Sequence, residues 1–209
     1  MSSSMIVFLD FFGIAVFAMS GALTAGQKRL DIFGVMVVAL ITCLGGGTLR
    51  DVILGAQPVV WVANTAYLYV GLGSALLAFV LARFWHLPLR SLEVCDAIGL
   101  AFFTLAGIQK AQMLGHGADI ALLMGLMTGV AGGILRDVLC NEIPLIFHRE
   151  IYATAALAGG GLFLLLQALA VDGGLALLLG MATILLLRLT GIFLGLSLPP
   201  FLFSYRRSG

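Results

Sequence analysis

The run Leu40-Ile41-Thr42-Cys43-Leu44-Gly45-Gly46-Gly47-Thr48-Leu49-Arg50-Asp51-Val52 recurs in this chain. Its second copy lies 86 residues later. It reads Leu126-Met127-Thr128-Gly129-Val130-Ala131-Gly132-Gly133-Ile134-Leu135-Arg136-Asp137-Val138, with eight of thirteen positions identical. The same offset aligns Asp10 with Asp96, Gly13 with Gly99, Phe17 with Phe103 and Gly21 with Gly107. It also aligns Pro58 with Pro144 and Gly73 with Gly159. Composition bias produces Leu and Gly matches easily. It does not readily place Thr, Arg, Asp and Pro at one fixed spacing.

The surrounding chain has 209 residues, 61% of them hydrophobic and 10% charged. Its mean hydropathy is +1.14. Soluble domains are about half apolar and about a quarter charged, so the composition leaves that class. Eleven bases balance ten acids. The basic pairs are Lys28-Arg29 and Arg206-Arg207, so no nucleic-acid partner is expected. Cys43, Cys95 and Cys140 lack metal-ligand spacing and read as small packing residues, so no structural metal is expected. His86, His116 and His148 are isolated in connecting segments and read as interfacial. GxSxG, HExxH, Walker A and Rossmann patterns are missing, and GGGTLRD lacks the GK[ST] ending of a phosphate loop. No enzyme is expected.

A membrane-spanning helix needs about 20 mainly apolar residues. Seven spans fit: roughly 5–25, 32–54, 60–82, 91–110, 118–139, 150–170 and 174–197. Residues Met1–Met5 carry no Lys or Arg before the apolar run, which reads as a retained first helix. The expected fold is therefore an all-α integral membrane protein, one membrane domain over 1–209. Repeat one covers 5–83, repeat two covers 91–170, and the seventh helix covers 174–197. Three spans per repeat put the second copy into the membrane from the opposite side. Inverted repeats of this kind serve channels and transporters, with the path at the repeat interface. Lys28, Arg29, Arg83, Arg90, Arg149, Arg206 and Arg207 fall on one side and Lys110 on the other. The basic side should be cytoplasmic, with the N-terminus outside and the C-terminus inside.

Helix geometry sorts the motif into stripes, since residues four apart share a face. Thr42, Gly46 and Arg50 form one stripe; Thr128, Gly132 and Arg136 form its copy. Small residues run beside each, at Ala39, Cys43 and Gly47 and at Gly125, Gly129 and Gly133. Such stripes permit close helix approach. A glycine cluster also weakens a helix, so kinks are expected at Gly45–Gly47 and Ala131–Gly133. Freed backbone groups are tolerated at membrane depth where they line water. Ionisable residues in spans usually face a polar interior. Arg50 and Asp51 should point about 100° apart and be poor mutual partners. The expected pairs are Asp10–Arg50 near the outer mouth and Asp96–Arg136 near the inner one. Asp51 and Asp137 would then attract cations, and Thr42, Thr48 and Thr128 would offer weakly binding oxygens.

The doubled motif, Gly45-Gly46-Gly47-Thr48-Leu49-Arg50-Asp51 and Ala131-Gly132-Gly133-Ile134-Leu135-Arg136-Asp137, has a proline seven residues after each Asp. It resembles the prokaryotic branch of the TRIC (trimeric intracellular cation) channel family over about residues 5–197. The same sequences are grouped as a duplicated inner-membrane family with a glycine-transporter domain. The resemblance implies seven spans in a prokaryotic inner membrane and a homotrimer, for which Gly159, Gly160 and Gly161 are candidate contacts. It also implies one pore per protomer, lined by kinked second and fifth helices and favouring potassium modestly over sodium. No cofactor is implied beyond the permeating potassium ion and a bound lipid. Animal members carry a lysine-containing motif at the second-helix kink, linked to phosphoinositide. This sequence has no lysine there.

Without the resemblance the residues leave three readings open. These are a cation channel, a secondary transporter of a small neutral solute such as glycine, and a structural membrane protein whose glycines only pack. Arg188, in the seventh span, has no assignment in any of them.

Overall fold

The computed structural model describes residues 3–85, 88, 90–147 and 151–196, with side chains from residue 10 onward. His86, His148, Arg149, Arg206 and Arg207 lie outside the described residues. Within them the chain forms α1 (Ser3–Gln27), α2 (Ile32–Ile53), α3 (Val60–Ala63), α4 (Ala66–Phe84) and α5 (Ser91–Met113). These are followed by α6 (Ala118–Leu139), a 3₁₀ turn (Leu145–Phe147), α7 (Ala153–Ala168) and α8 (Gly173–Leu194). No strand occurs among the described residues. Among them, α2, α4, α5, α6 and α8 are long and apolar enough to cross a membrane; α7 is apolar but shorter, at 16 residues.

Helix ends follow local chemistry. Asp31 caps α2 by accepting from the Gly34 amide at 2.8 Å. Asp172 caps α8, accepting from the Gly174 and Leu175 amides at 3.0 Å each. Both satisfy donors that a helix start leaves open. The 86-residue offset recurs where helices stop. Arg29 and Gly115 are left-handed after α1 and α5, and Gly55 and Asn141 are left-handed after α2 and α6. Each residue following these closes a bond back to the helix end. The third expected span begins later than the apolar run does. Residues 60–63 form a separate turn of helix, and Asn64 caps the new start by accepting from the Ala66 amide at 3.0 Å.

Large apolar side chains point outward: Phe33 is 74% exposed and Leu178 is 63% exposed. The interior is rich in small residues, with Ala18, Ala25, Ala39, Ala75, Ala97 and Ala155 fully buried beside a few large ones such as Phe17 and Phe163. Lipid supplies no hydrophobic drive between helices, so close backbone packing must hold them together.

Helices α1, α2 and α4 pack as one group, and α5, α6 and α7 as another. Between the groups α1 lies on α5 and α2 on α6. The α1–α5 contact is reciprocal. Phe17 and Phe103 meet with ring centroids 5.1 Å apart. Phe17 lies against Gly99, where any Cβ would overlap its ring, and Phe103 lies against Gly13. The third helices differ: α4 packs directly on α1, whereas α7 meets α5 only lightly and the unduplicated α8 packs against both α5 and α7.

Candidate functional site

The repeat-matched glycines mark where α2 and α6 cross. A Cβ on Gly46 would overlap the Thr128 carbonyl oxygen, and a Cβ on Gly132 would overlap the Thr42 carbonyl oxygen. Both helices stay continuous through their triplets. The glycines are spent on approach, and the three positions are unequal. A Cβ on Gly45 would meet only the flexible end of Leu135, at 2.7 Å. One on Gly47 would find ordinary contact, with the Arg50 guanidinium at 3.8 Å. The position that tolerates a Cβ by moving one side chain is the one where the second repeat has Ala131.

Thr42 and Thr128 are buried at the crossing, one turn before Gly46 and Gly132. Their hydroxyls donate to Val38 O at 2.6 Å and Met124 O at 2.5 Å. They also press on Gly21 and Gly107, where a Cβ would stand 2.6 Å from each hydroxyl oxygen. Thr48 donates to Leu44 O at 2.7 Å and accepts from Trp61 Nε1 at 2.9 Å. In this conformation all three are engaged in packing and hydrogen bonds within the protein.

Beyond the crossing, each helix ends in a buried ionic cluster. Arg50 Nε donates to Asp51 Oδ1 at 2.9 Å, with Nη2 at 2.7 Å from the same oxygen. Arg136 Nε donates to Asp137 Oδ1 at 2.7 Å. The expectation that sequence neighbours would be poor partners is thus overturned. An arginine side chain is long enough to reach around the helix to the adjacent residue. The second carboxylate oxygen is also engaged. Asp51 Oδ2 accepts from the Val60 amide and Asp137 Oδ2 from the Leu145 amide, both at 3.0 Å. These aspartates hang the short helical turns from α2 and α6, so they are not the unpartnered cation attractors expected.

The long-range pairs divide. Asp96 and Arg136 pair at 2.6 Å, both fully buried. Ser20, reaching across from α1, accepts from Arg136 Nη1 at 2.6 Å. The Tyr152 hydroxyl and Asp96 Oδ1 stand together against Gly133, at 3.2 and 3.3 Å from where its Cβ would be, and the Arg188 guanidinium lies 4.4 Å from the Tyr152 ring centroid. In the first repeat the expected Asp10–Arg50 ion pair is not made. Asp10 shares a small cavity with Tyr67 instead, and Tyr67 stacks on Phe11 at 4.6 Å. Asp10 and Arg50 face a shared cavity of about 20 Å³ beside Gly47 and Tyr67, roughly the size of one water.

Tyr67, Tyr152, Ser20 and Trp61 escaped the sequence reading. The tyrosines are equivalent at an offset of 85, not 86. The carboxylate-capped amide lies nine residues after Asp51 but eight after Asp137, which locates a one-residue deletion after the proline. Realigning there would have exposed both tyrosines. The same slip removes the Gly73–Gly159 match. A Cβ on Gly73 meets nothing within 4 Å, whereas Gly159 packs on Gly180 and Ile184 of α8. Gly159 and Gly160 are therefore used inside the protomer, Gly160 against Ile108 and Leu122; Gly161 has open space.

Long apolar helices, glycine-mediated crossings and buried ionic clusters define a polytopic helical membrane protein. A family profile described as "Glycine transporter" matches it over residues 7–83 and again over 93–168. The chain belongs to the prokaryotic TRIC channel family, which carries this doubled domain. The inner membrane protein YadS of Escherichia coli K12, of the UPF0126 group, is 45% identical over 203 residues, 94% of this chain and 96% of that one. A UPF0126 membrane protein of Vibrio cholerae is 45% identical over 207 residues, 96% of this chain and 84% of its own. Among solved structures, the TRIC trimeric intracellular cation channel orthologue from Rhodobacter sphaeroides matches with TM-score 0.89 at 42% identity. It covers 93% of this chain and 100% of that one. A prokaryotic TRIC channel in 0.5 M KCl matches with TM-score 0.85 at 31% identity, covering 94% and 100%.

Proposed function

We propose that the chain is a monovalent cation channel with one pore in each protomer of a homotrimer, lined by α2 and α6. The observation that carries this is their crossing: two backbones in contact through Gly46 and Gly132, with a buried ionic cluster beyond each side. The likeness to solved TRIC cation channels supports the same reading. Seven helices, α1, α2 and α4 to α8, span the membrane in this reading. The two repeats run in opposite senses, with the N-terminus outside and the C-terminus cytoplasmic. The ion pair between Lys28, after α1, and Glu142, after α6, favours placing those loops on one side.

The tight crossing makes this a shut conformation. Conduction requires α2 and α6 to part, which the glycine triplets make cheap because they add no side-chain interlock. The second-repeat cluster then acts as the cytoplasmic latch and the first-repeat cluster as the outer one. Ionised groups at such depth are costly and belong to pathways rather than to lipid-facing surfaces. Potassium is the permeating ion, held only weakly by neutral oxygens once the helices separate. A lipid bound to the trimer is the remaining small-molecule partner.

The test is single-channel recording of the purified protein in planar bilayers, with potassium on both sides and then sodium on one. Discrete currents with a modest potassium-favouring reversal shift are expected. Silent bilayers containing folded, inserted protein would overturn the reading. Radiolabelled glycine uptake into proteoliposomes would then establish the transporter that the matching profile's description names.

A further inference from the structure

Arg188 belongs to neither repeat. It enters from α8, the helix without a counterpart, and is 0% exposed. Its guanidinium lies over the Tyr152 ring at 4.4 Å, and its Nη1 donates to Ile151 O at 3.4 Å. The Tyr152 hydroxyl stands beside Asp96, both against Gly133, and Asp96 pairs with Arg136 at 2.6 Å. Among the described residues the second-repeat cluster thus holds two cations, Arg136 and Arg188, against two carboxylates, Asp96 and Asp137. The first-repeat cluster holds Arg50 against Asp51 and Asp10, and an uncharged Phe11 covers its tyrosine. There the long-range pair is apart.

We propose that Arg188 is a positioning residue for the second-repeat latch. Its guanidinium clamps the Tyr152 ring, the clamped hydroxyl holds Asp96, and Asp96 stays on Arg136. Cation–ring attraction is strongest where water is excluded, as it is here. Removing the cation leaves this cluster with the same one-arginine, two-carboxylate set as the first. It then opens as the first one does. The effect on current rests on the channel reading. The effect on Tyr152 does not.

Two variants separate charge from packing. Arg188→Met keeps bulk without charge, and Arg188→Lys keeps a cation that can still sit over the ring. The full chain contains four tyrosines, Tyr67, Tyr69, Tyr152 and Tyr205. Uniform 3-fluorotyrosine labelling gives each a fluorine resonance. Tyr152→Phe and Tyr67→Phe identify the two that matter. Arg188→Met is expected to shift and broaden the Tyr152 line and leave the Tyr67 line in place. Arg188→Lys should keep both near wild type. In bilayers Arg188→Met should raise open probability roughly thirtyfold, the size of one desolvated cation–ring contact. Asp96→Asn added to it should change little more, because both act on one latch. An unmoved Tyr152 line in Arg188→Met overturns the proposal, as does a Lys variant displaced as far as the Met one. If wild-type bilayers are silent, the channel reading fails and the fluorine spectrum alone decides on Arg188. If the Met variant does not fold, Arg188→Gln against Arg188→Lys supplies the same contrast.

Discussion

In the second repeat, Asp96, Arg136, Asp137, Ser20 and Tyr152 close into one buried cluster. In the first repeat the equivalent residues form two smaller units, Arg50 with Asp51 and Asp10 with Tyr67. The helices that carry them are built alike, and their crossing at Gly46 and Gly132 is reciprocal. The difference lies in a few neighbours. Ser20 bonds Arg136, but the position 86 residues on is Ala106, which has no hydroxyl to offer Arg50. Helix α4 lies directly on α1 and brings Tyr67 to Phe11. Helix α8 packs against α5 and α7 and brings Arg188 to Tyr152. Backbone duplication equalises the crossing, and unduplicated side chains choose which half is latched.

The comparison breaks most sharply at the long-range pairs. Removing one partner of a buried ion pair leaves a charge without compensation, which costs about 3–5 kcal/mol. Asp96→Asn and Arg136→Gln should each lower thermal stability in detergent by that order, and the double change should recover much of it. Asp10→Asn, which breaks no ion pair, should cost about 1 kcal/mol, the scale of one polar contact. Asp10 and Arg50 should show near-additive effects. A strong Asp10–Arg50 coupling in the double-mutant cycle would erase the proposed asymmetry.

The crossing offers the next largest effect, and here the halves should agree. Gly46→Ala and Gly132→Ala force backbone apart and should each destabilise the fold by about 2–3 kcal/mol, seen in melting temperature. Gly47→Ala should be near neutral, and Gly45→Ala should lie between. Equal tolerance at Gly46 and Gly47 would remove the crossing as the tight point. Ser20→Ala should cost about 1.5–2 kcal/mol, since it deletes a hydrogen bond to a charged group. Ala106→Ser, its mirror, should stabilise or leave unchanged the first cluster. The smallest effect belongs to Trp61→Phe, which removes the bond to Thr48 and should cost about 1 kcal/mol. Its readout is faster hydrogen exchange in the segment 58–65.

Much of this site is legible from the duplicated motif. Asp96–Arg136 follows from placing both residues near one membrane surface. The unequal triplet, Gly45-Gly46-Gly47 against Ala131-Gly132-Gly133, records that the first position can carry a side chain. Other features are hidden for identifiable reasons. The Arg50–Asp51 and Arg136–Asp137 pairs depend on side-chain reach, which a helical wheel ignores. The tyrosines are masked because one residue is lost after Pro144. Ser20 has no repeat partner to flag it.

Local chemistry suffices for the helices themselves. Apolar runs of about twenty residues specify where they form, Asp31 and Asp172 start two of them, and left-handed residues at matched positions stop four. Duplication also makes a like-with-like meeting of α2 and α6 readable in advance. Which charges meet, and on which side of the crossing they lock, arises only on packing. Arg136 finds Asp96 across 40 residues and Ser20 across 116, and Tyr152 finds Arg188 from a helix outside the repeat. Those contacts depend on side-chain reach and on where α8 inserts, and neither is a property of any local stretch of sequence.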